Sequence, residues 1–251
     1  MDADERVERL GRIAWAAGIL MPDCKLQRTV ARMAPRYGEI LIADWEAFTR
    51  EELAELACVL LNEAQRERLE AERELCISIY YEDLGRLRVS FYHRMGVPEL
   101  AIRMCNLEVK SADELMLPPL VDELCKKRSG LVVVTGPTGV GKTTTLNYMV
   151  DAINATRRCK IVTIEDPVEF EHHHRKSIIC QIEVTTDTLS FSRCLRHVLR
   201  LDPDVICIGE MRDIDTMETA LTAAETGHLV IATLHTPNAV STVERLSLIH
   251  I

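Results

Sequence analysis

The sequence runs to 251 residues, enough for one large domain or two modest ones. Its 47% hydrophobic content is ample for a buried core, and with only 4% aromatics that core must rest on Leu, Ile, Val and Ala. A net charge of −9 argues against nucleic-acid binding through a basic surface, and no stretch approaches the ~18 consecutive apolar residues of a spanning helix.

The acidic start, Met1-Asp2-Ala3-Asp4-Glu5, has no signal-peptide pattern. Nine cysteines lie between Cys24 and Cys207 without a C-x-x-C pair, and read as reduced thiols of a cytosolic protein. Residues 4–20 have helical spacing, with Val7, Leu10, Ala14 and Ala17 on one side. Pro22, Pro35 and Gly38 break the next segment, which leaves room for short strands around 27–33 and 39–43. Thr49 and Glu52 make a capping box, and Leu53, Leu56, Ala57, Leu60 and Leu61 continue a helix. That helix is expected to end before the charged run 65–74, read as a solvated face.

Residues 75–81 and 86–93 alternate as an antiparallel hairpin should, with Leu87, Val89 and Phe91 on one face and Arg86, Arg88 and Ser90 on the other. A third strand, 100–104, carries Arg103. Ser111 and Glu114 form another capping box, Pro118-Pro119 interrupts, and 120–127 resumes as helix. The linker falls near 105–118, so the domains are expected to be 1–110, a smaller α+β unit, and 111–251, an α/β unit.

The second unit opens on an apolar run, 131–134, then Gly136-Pro137-Thr138-Gly139-Val140-Gly141-Lys142-Thr143, then a helix over 144–155. Strand, glycine loop and helix is the context that the G-x-x-x-x-G-K-[ST] pattern requires. Glycines let successive N–H groups converge on a phosphate, and the helix N-terminus adds partial positive charge. Lys142 reaches the β/γ-phosphates and Thr143 offers its hydroxyl to Mg²⁺. A strand over 160–164 runs into Glu165, Asp166 and Glu169, which repel one another unless a cation sits among them or one stays protonated. His172-His173-His174 reads as a mobile polar loop rather than a metal site, because no fixed-spacing partner completes one. Residues 205–209 form an apolar strand that delivers Glu210 to its tip. His228 and His235 bracket a further strand and, seven residues apart, point to opposite faces.

Together these residues resemble the secretion-ATPase superfamily, the ring motors of type II and type IV secretion and of type IV pili, over roughly residues 50–246. GPTGVGKTTT, which includes Thr144, stands as Walker A; TIEDPVEF (163–170) as the Asp box; RLDPDVICIGEMRD (200–213) as Walker B; AAETGHLVIATLHT (223–236) as the His box. Within the superfamily the chain is most similar to the type IV pilus retraction ATPases, since it has a short N-terminal region and no tetracysteine zinc module.

The resemblance implies a P-loop NTPase (RecA-like) core behind a PAS-like N-terminal domain, assembled as a hexamer, with ATP and Mg²⁺ bound between the domains. Residues 136–144 would bind nucleotide, and Thr143, Glu210, Glu165 and Asp166 would surround the metal. Glu169 matches the general base and Glu210 the Walker B acid. His228 and His235 match the γ-phosphate-sensing His box. Arg88 and Arg103 match arginine fingers, with Arg94 a third candidate.

The implied setting is cytoplasmic, peripheral at the inner membrane, bound to a pilus platform protein and without direct nucleic-acid contact. The alternatives are a related type II/IV secretion or DNA-uptake ATPase, or a truncated nucleotide-binding subunit without motor activity. The family continues past the His box, whereas this chain stops at Ile251 with 247–251 unlike the family. A C-terminally truncated chain is therefore expected, and the first ~48 residues also match the family poorly.

Overall fold

The computed structural model describes residues 31–33, 40–42, 60–81, 85–104 and 109–247. The chain divides into two compact units, Met1–Met104 and Cys105–Ile251.

In the first unit, β1 (Ala31–Met33) and β2 (Ile40–Ile42) pair antiparallel, inside the two segments expected to hold short strands. The expected helices over 4–20 and 49–61 fall outside the described residues, apart from the last two positions. The charged run differs from expectation: it is itself a helix, α1 (Glu63–Glu72). Asn62 supplies the cap, its Oδ1 accepting from Gln65 N at 2.9 Å while Gln65 Oε1 accepts from Asn62 N at 3.0 Å. Arg73, at φ 63°, closes the other end. Leu69 alone of α1 is buried, so the rest of the run is the solvated face that its charges imply.

β3 (Glu74–Tyr81), β4 (Gly85–Arg94) and β5 (Val97–Met104) form an antiparallel sheet in that order. Register sets Leu75 against Phe91, Ile77 against Val89 and Ile79 against Leu87. With Leu61 and Leu69 these make one apolar core. On the other face Arg88 Nε lies 3.2 Å from Cys76 Sγ.

In the second unit the Ser111–Glu114 box forms, Ser111 N–H and Oγ–H donating to Glu114 Oε2 at 2.9 and 2.6 Å. It closes a turn instead of starting a helix, because Pro118-Pro119 follows too soon. Helix α2 (Leu120–Cys125) comes after the prolines. The remaining elements alternate except that β8 follows β7 without a helix: β6 (Gly130–Thr135), α3 (Lys142–Thr156), β7 (Lys160–Glu165), β8 (Ile178–Glu183), α4 (Phe191–Val198), β9 (Val205–Ile208), α5 (Ile214–Glu225), β10 (Leu229–Leu234) and α6 (Ala239–Ser247).

The sheet is parallel, ordered β6-β10-β9-β7-β8. Alternate residues feed two cores. Val162, Ile164, Ile206, Ile208, Val230 and Ala232 pack with α4 and α5. Ile161, Val205, Cys207, Leu229 and Ile231 pack with Leu146, Met149, Val150 and Ile153 of α3. Every side chain of β9 is 0% exposed, so this strand is central to both layers. Parallel pairing brings all the strand C-terminal ends to one edge, where ligands bind in such sheets.

Candidate functional site

β6 ends at Thr135 and the chain turns through Gly136, Gly139 and Gly141 at φ 148°, 82° and 95°. Those angles suit glycine. At Gly136 a Cβ would also stand 2.8 Å from Val140 Cγ2. Helix α3 starts two residues earlier than expected, at Lys142, with Gly141 as N-cap and no side chain capping it. Its first N–H groups are left to face the loop, the arrangement that receives a phosphate. Lys142 is buried at 7% exposure, and its Nζ donates to the Gly136 and Pro137 carbonyls at 2.9 and 2.8 Å. Beside the loop lies a cavity of about 390 Å³ whose walls mix the charged Lys110 and Glu114 with Leu115, Val140, Thr144 and Phe170. A larger opening of about 820 Å³, under α4, takes in Arg200 at the start of the Walker B segment but none of the glycine-loop, Asp-box or His-box residues.

From Lys142 a row of polar contacts crosses the sheet edge. Its Nζ is 3.4 Å from His235 Nδ1, and His235 Nε2 is 3.3 Å from Glu210 Oε1. An ammonium only donates, so Nδ1 accepts and the imidazole proton sits on Nε2, facing the carboxylate. Glu210 Oε2 accepts from Arg212 Nε at 2.8 Å, and Arg212 Nη1 is 3.6 Å from Asp166 Oδ2. This row joins the glycine loop, His box, Walker B strand and Asp box, segments up to about a hundred residues apart.

Two local features align it. Gly209 N–H donates to Ile164 O at 2.8 Å, and a Cβ on Gly209 would press on Ile164 O at 3.2 Å and Glu165 Cα at 3.3 Å. Glu210 is thereby drawn against the Asp box. Thr135 Oγ1 donates to Thr236 O at 3.0 Å, which ties the turn carrying His235 to the glycine-loop strand.

The carboxylate crowding resolves as the sequence requires. Glu165 is 3% exposed and burial pushes its carboxyl up, with the Glu169 charge adding to the effect. Hydrogen bonds from Thr163 Oγ1 at 2.7 Å, Gln181 Nε2 at 3.1 Å and the Glu169 backbone N–H oppose that rise. Asp166 has the Arg212 guanidinium instead. Among the described residues no cluster of three or more His, Cys, Asp or Glu is set to hold a metal unaided. Glu165 Oε1 is taken by Thr163 and Gln181. Thr143, Glu210 and Asp166 carry the hard oxygens that Mg²⁺ takes, and in this structure both carboxylates are paired with Arg212, which a metal would have to displace.

His228 is not brought to this row. It sits at the opposite end of β10, about 23 Å away along the strand. There its Nδ1 lies 2.9 Å from Ala223 O and its carbonyl accepts from Gly130 N–H. Arg88 and Arg103 belong to the first unit, where register pairs them across β4 and β5. Arg94 Nε is engaged by Glu99 Oε1 at 2.6 Å.

The histidine run is a correction: it is no mobile loop. His172 is 8% exposed with Nε2 2.8 Å from Asn147 Oδ1, and burial lowers its pKa to about 4. Asn154 Nδ2 holds His173 O at 2.8 Å, and His174 Nδ1 accepts from Ile179 N–H at 3.1 Å. Sequence reasoning also passed over Asn147 and Gln181. Polar residues at otherwise apolar positions of α3 and β8 were the signal.

A family model described as type II/IV secretion system protein matches residues 82–251. The twitching motility protein of Neisseria gonorrhoeae is 41% identical over 210 residues, covering 84% of this chain and 56% of that protein. The type IV pilus retraction ATPase PilT of Pseudomonas aeruginosa is 43% identical over 187 residues, covering 74% and 54%. The crystal structure of the pilus retraction motor PilT with bound ADP superposes with a TM-score of 0.81 at 42% identity, covering 88% of this chain and 64% of that one. The chain thus spans about half the length of the curated relatives it matches.

Proposed function

The chain belongs to the type II/IV secretion system protein family, and from that premise we propose that the intact protein is an ATP-hydrolysing motor subunit that drives type IV pilus retraction. The row Lys142–His235–Glu210–Arg212–Asp166 carries this reading, because it assembles the groups that phosphoryl transfer needs on one strand edge. The names of the Neisseria and Pseudomonas relatives support the pilus role over other cargo.

In this reading Lys142 exchanges its carbonyl partners for charged phosphate oxygens, and the uncapped start of α3 adds its amides. The cavity beside the loop, with walls of mixed polarity, takes the nucleoside. Thr143, Glu210 and Asp166 would hold Mg²⁺, which would supply positive charge to offset that of the phosphates. Glu169 orients and deprotonates the attacking water. Glu165, buried and saturated with hydrogen bonds, anchors the segment that carries Glu169. His235, between Lys142 and Glu210, is placed to register whether a γ-phosphate separates them. Arg88 and Arg103 supply guanidinium charge to the transferring phosphoryl group.

The protein would act as a homohexamer on an inner-membrane platform protein, from the cytoplasmic side. No helix among the described residues is long and apolar enough to cross a membrane. The test is Mg²⁺-dependent ATP hydrolysis by the full-length protein beside its Lys142→Ala variant. Hydrolysis by the first and none by the second is expected. No hydrolysis by the first, or equal rates, overturns the reading.

A further inference from the structure

The hydrogen bonds around His172 point to a positioning role that rests on the hydrolase reading above. We propose that His172, through Asn147 and Gln181, locks the loop bearing Glu169 to the first turn of α3.

Asn147 is 1% exposed, and its Nδ2 donates to Thr143 O at 2.9 Å. The amide oxygen is left facing the imidazole, and an amide oxygen only accepts. His172 Nε2 therefore carries the proton and donates across 2.8 Å. The His172 backbone N–H donates to Gln181 Oε1 at 2.8 Å. Gln181 Nε2 donates in turn to Phe170 O at 2.8 Å and to Glu165 Oε1 at 3.1 Å.

The path from Thr143 to Glu165 is unbroken, and each amide on it uses both its ends. A buried network satisfied in this way holds its members rigidly, whereas one missing partner leaves several stranded. The two ends are a residue proposed to ligand Mg²⁺ and the anchor of the loop with the proposed general base. Nothing in the covalent chain sets their separation. The start of α3 is already held by its helix. The loop 166–171 is the piece the imidazole secures, at the end opposite Glu165.

Loss of the imidazole should slow the chemical step while leaving nucleotide affinity to the glycine loop. A misplacement of about 1 Å at such a group costs about 100-fold in rate. The experiment compares wild type, His172→Leu and His172→Gln in the full-length protein. A glutamine amide can still donate to Asn147. Three quantities are read: kcat, the Kd for a fluorescent ADP analogue, and hydrogen exchange of the amides at 168–171 against those of α3.

The leucine variant is expected to lose about 10- to 100-fold in kcat, with Kd little changed and the loop amides exchanging faster. The glutamine variant is expected to recover most of the rate. Unchanged loop exchange, or a Kd that weakens in step with kcat, overturns the proposal. A wild type that binds ADP without turnover overturns the hydrolase reading instead, and the exchange comparison then decides the lock by itself.

Discussion

Acidification should test the burial of His172 directly. Its pKa in the folded chain is about 4, against an ordinary 6.5. Above pH 6.5 both folded and unfolded chains leave the ring neutral, and it contributes nothing to the pH dependence. Below pH 6.5 the unfolded chain takes up the proton first, so stability falls with pH until the folded ring also protonates near 4. A gap of about 2.5 units at 1.36 kcal/mol each gives a loss of about 3 kcal/mol across that window.

Glu165 acts in the opposite sense. Its folded pKa is raised, so between its ordinary value and the raised one the folded chain holds the extra proton and gains stability as pH falls. The informative quantity is thus the difference between wild type and His172→Gln, from urea denaturation followed by far-UV circular dichroism at several pH values from 7.5 to 4. Tryptophan fluorescence is unsuitable, since both tryptophans, Trp15 and Trp45, precede the second unit. The wild type should lose about 3 kcal/mol more than the variant over this range. Parallel curves would refute the reasoning, because they would mean that His172 titrates as it does in water.

Other expectations concern the strand edge and the core. Lys142→Ala should reduce turnover by at least about 100-fold while leaving the melting temperature nearly unchanged, since its partners are loop carbonyls. Arg212→Gln removes a pair whose arginine is 60% exposed, so stability measured by thermal melting should change by less than about 1 kcal/mol. The Mg²⁺ concentration for half-maximal nucleotide binding should drop in the same variant, because no guanidinium then competes for Glu210. Ile206→Ala, at a site with 0% exposure in the central strand, should cost about 3–4 kcal/mol in denaturant titration.

The α/β core was legible because its signals are local. A β-branched run, a glycine loop and a helix occur in succession, and each turn type needs the residues found there. The hairpin of β3 and β4 was legible for the same reason, through strict alternation. What escaped depends on tertiary packing or on reading polar residues as surface by default. Asn62 begins a capping box with Gln65, but the charges that follow hid it. Ser111 and Glu114 form theirs without a helix to cap. His172 looked like one member of a loose polar run, and only its contact with Asn147 of α3 makes it structural. For His228 and His235 spacing offered only an expectation of opposite faces on a regular strand. Their position at opposite ends of one fully paired strand decides that His235 alone meets Lys142.

The strand order carries a consequence for synthesis. β6, which leads into the glycine loop, has β10 as its sole partner among the described strands, with Leu131 set against Val230. Roughly a hundred residues separate the two, and pairing over such a distance is slow to form. On the ribosome, the glycine loop and Lys142 therefore emerge long before the strand that holds them. At about 5–20 residues per second, that delay lasts at least about five seconds. Throughout it the half-made sheet presents the apolar edge of β6 to whatever is nearby, a window in which a chaperone has something to recognise.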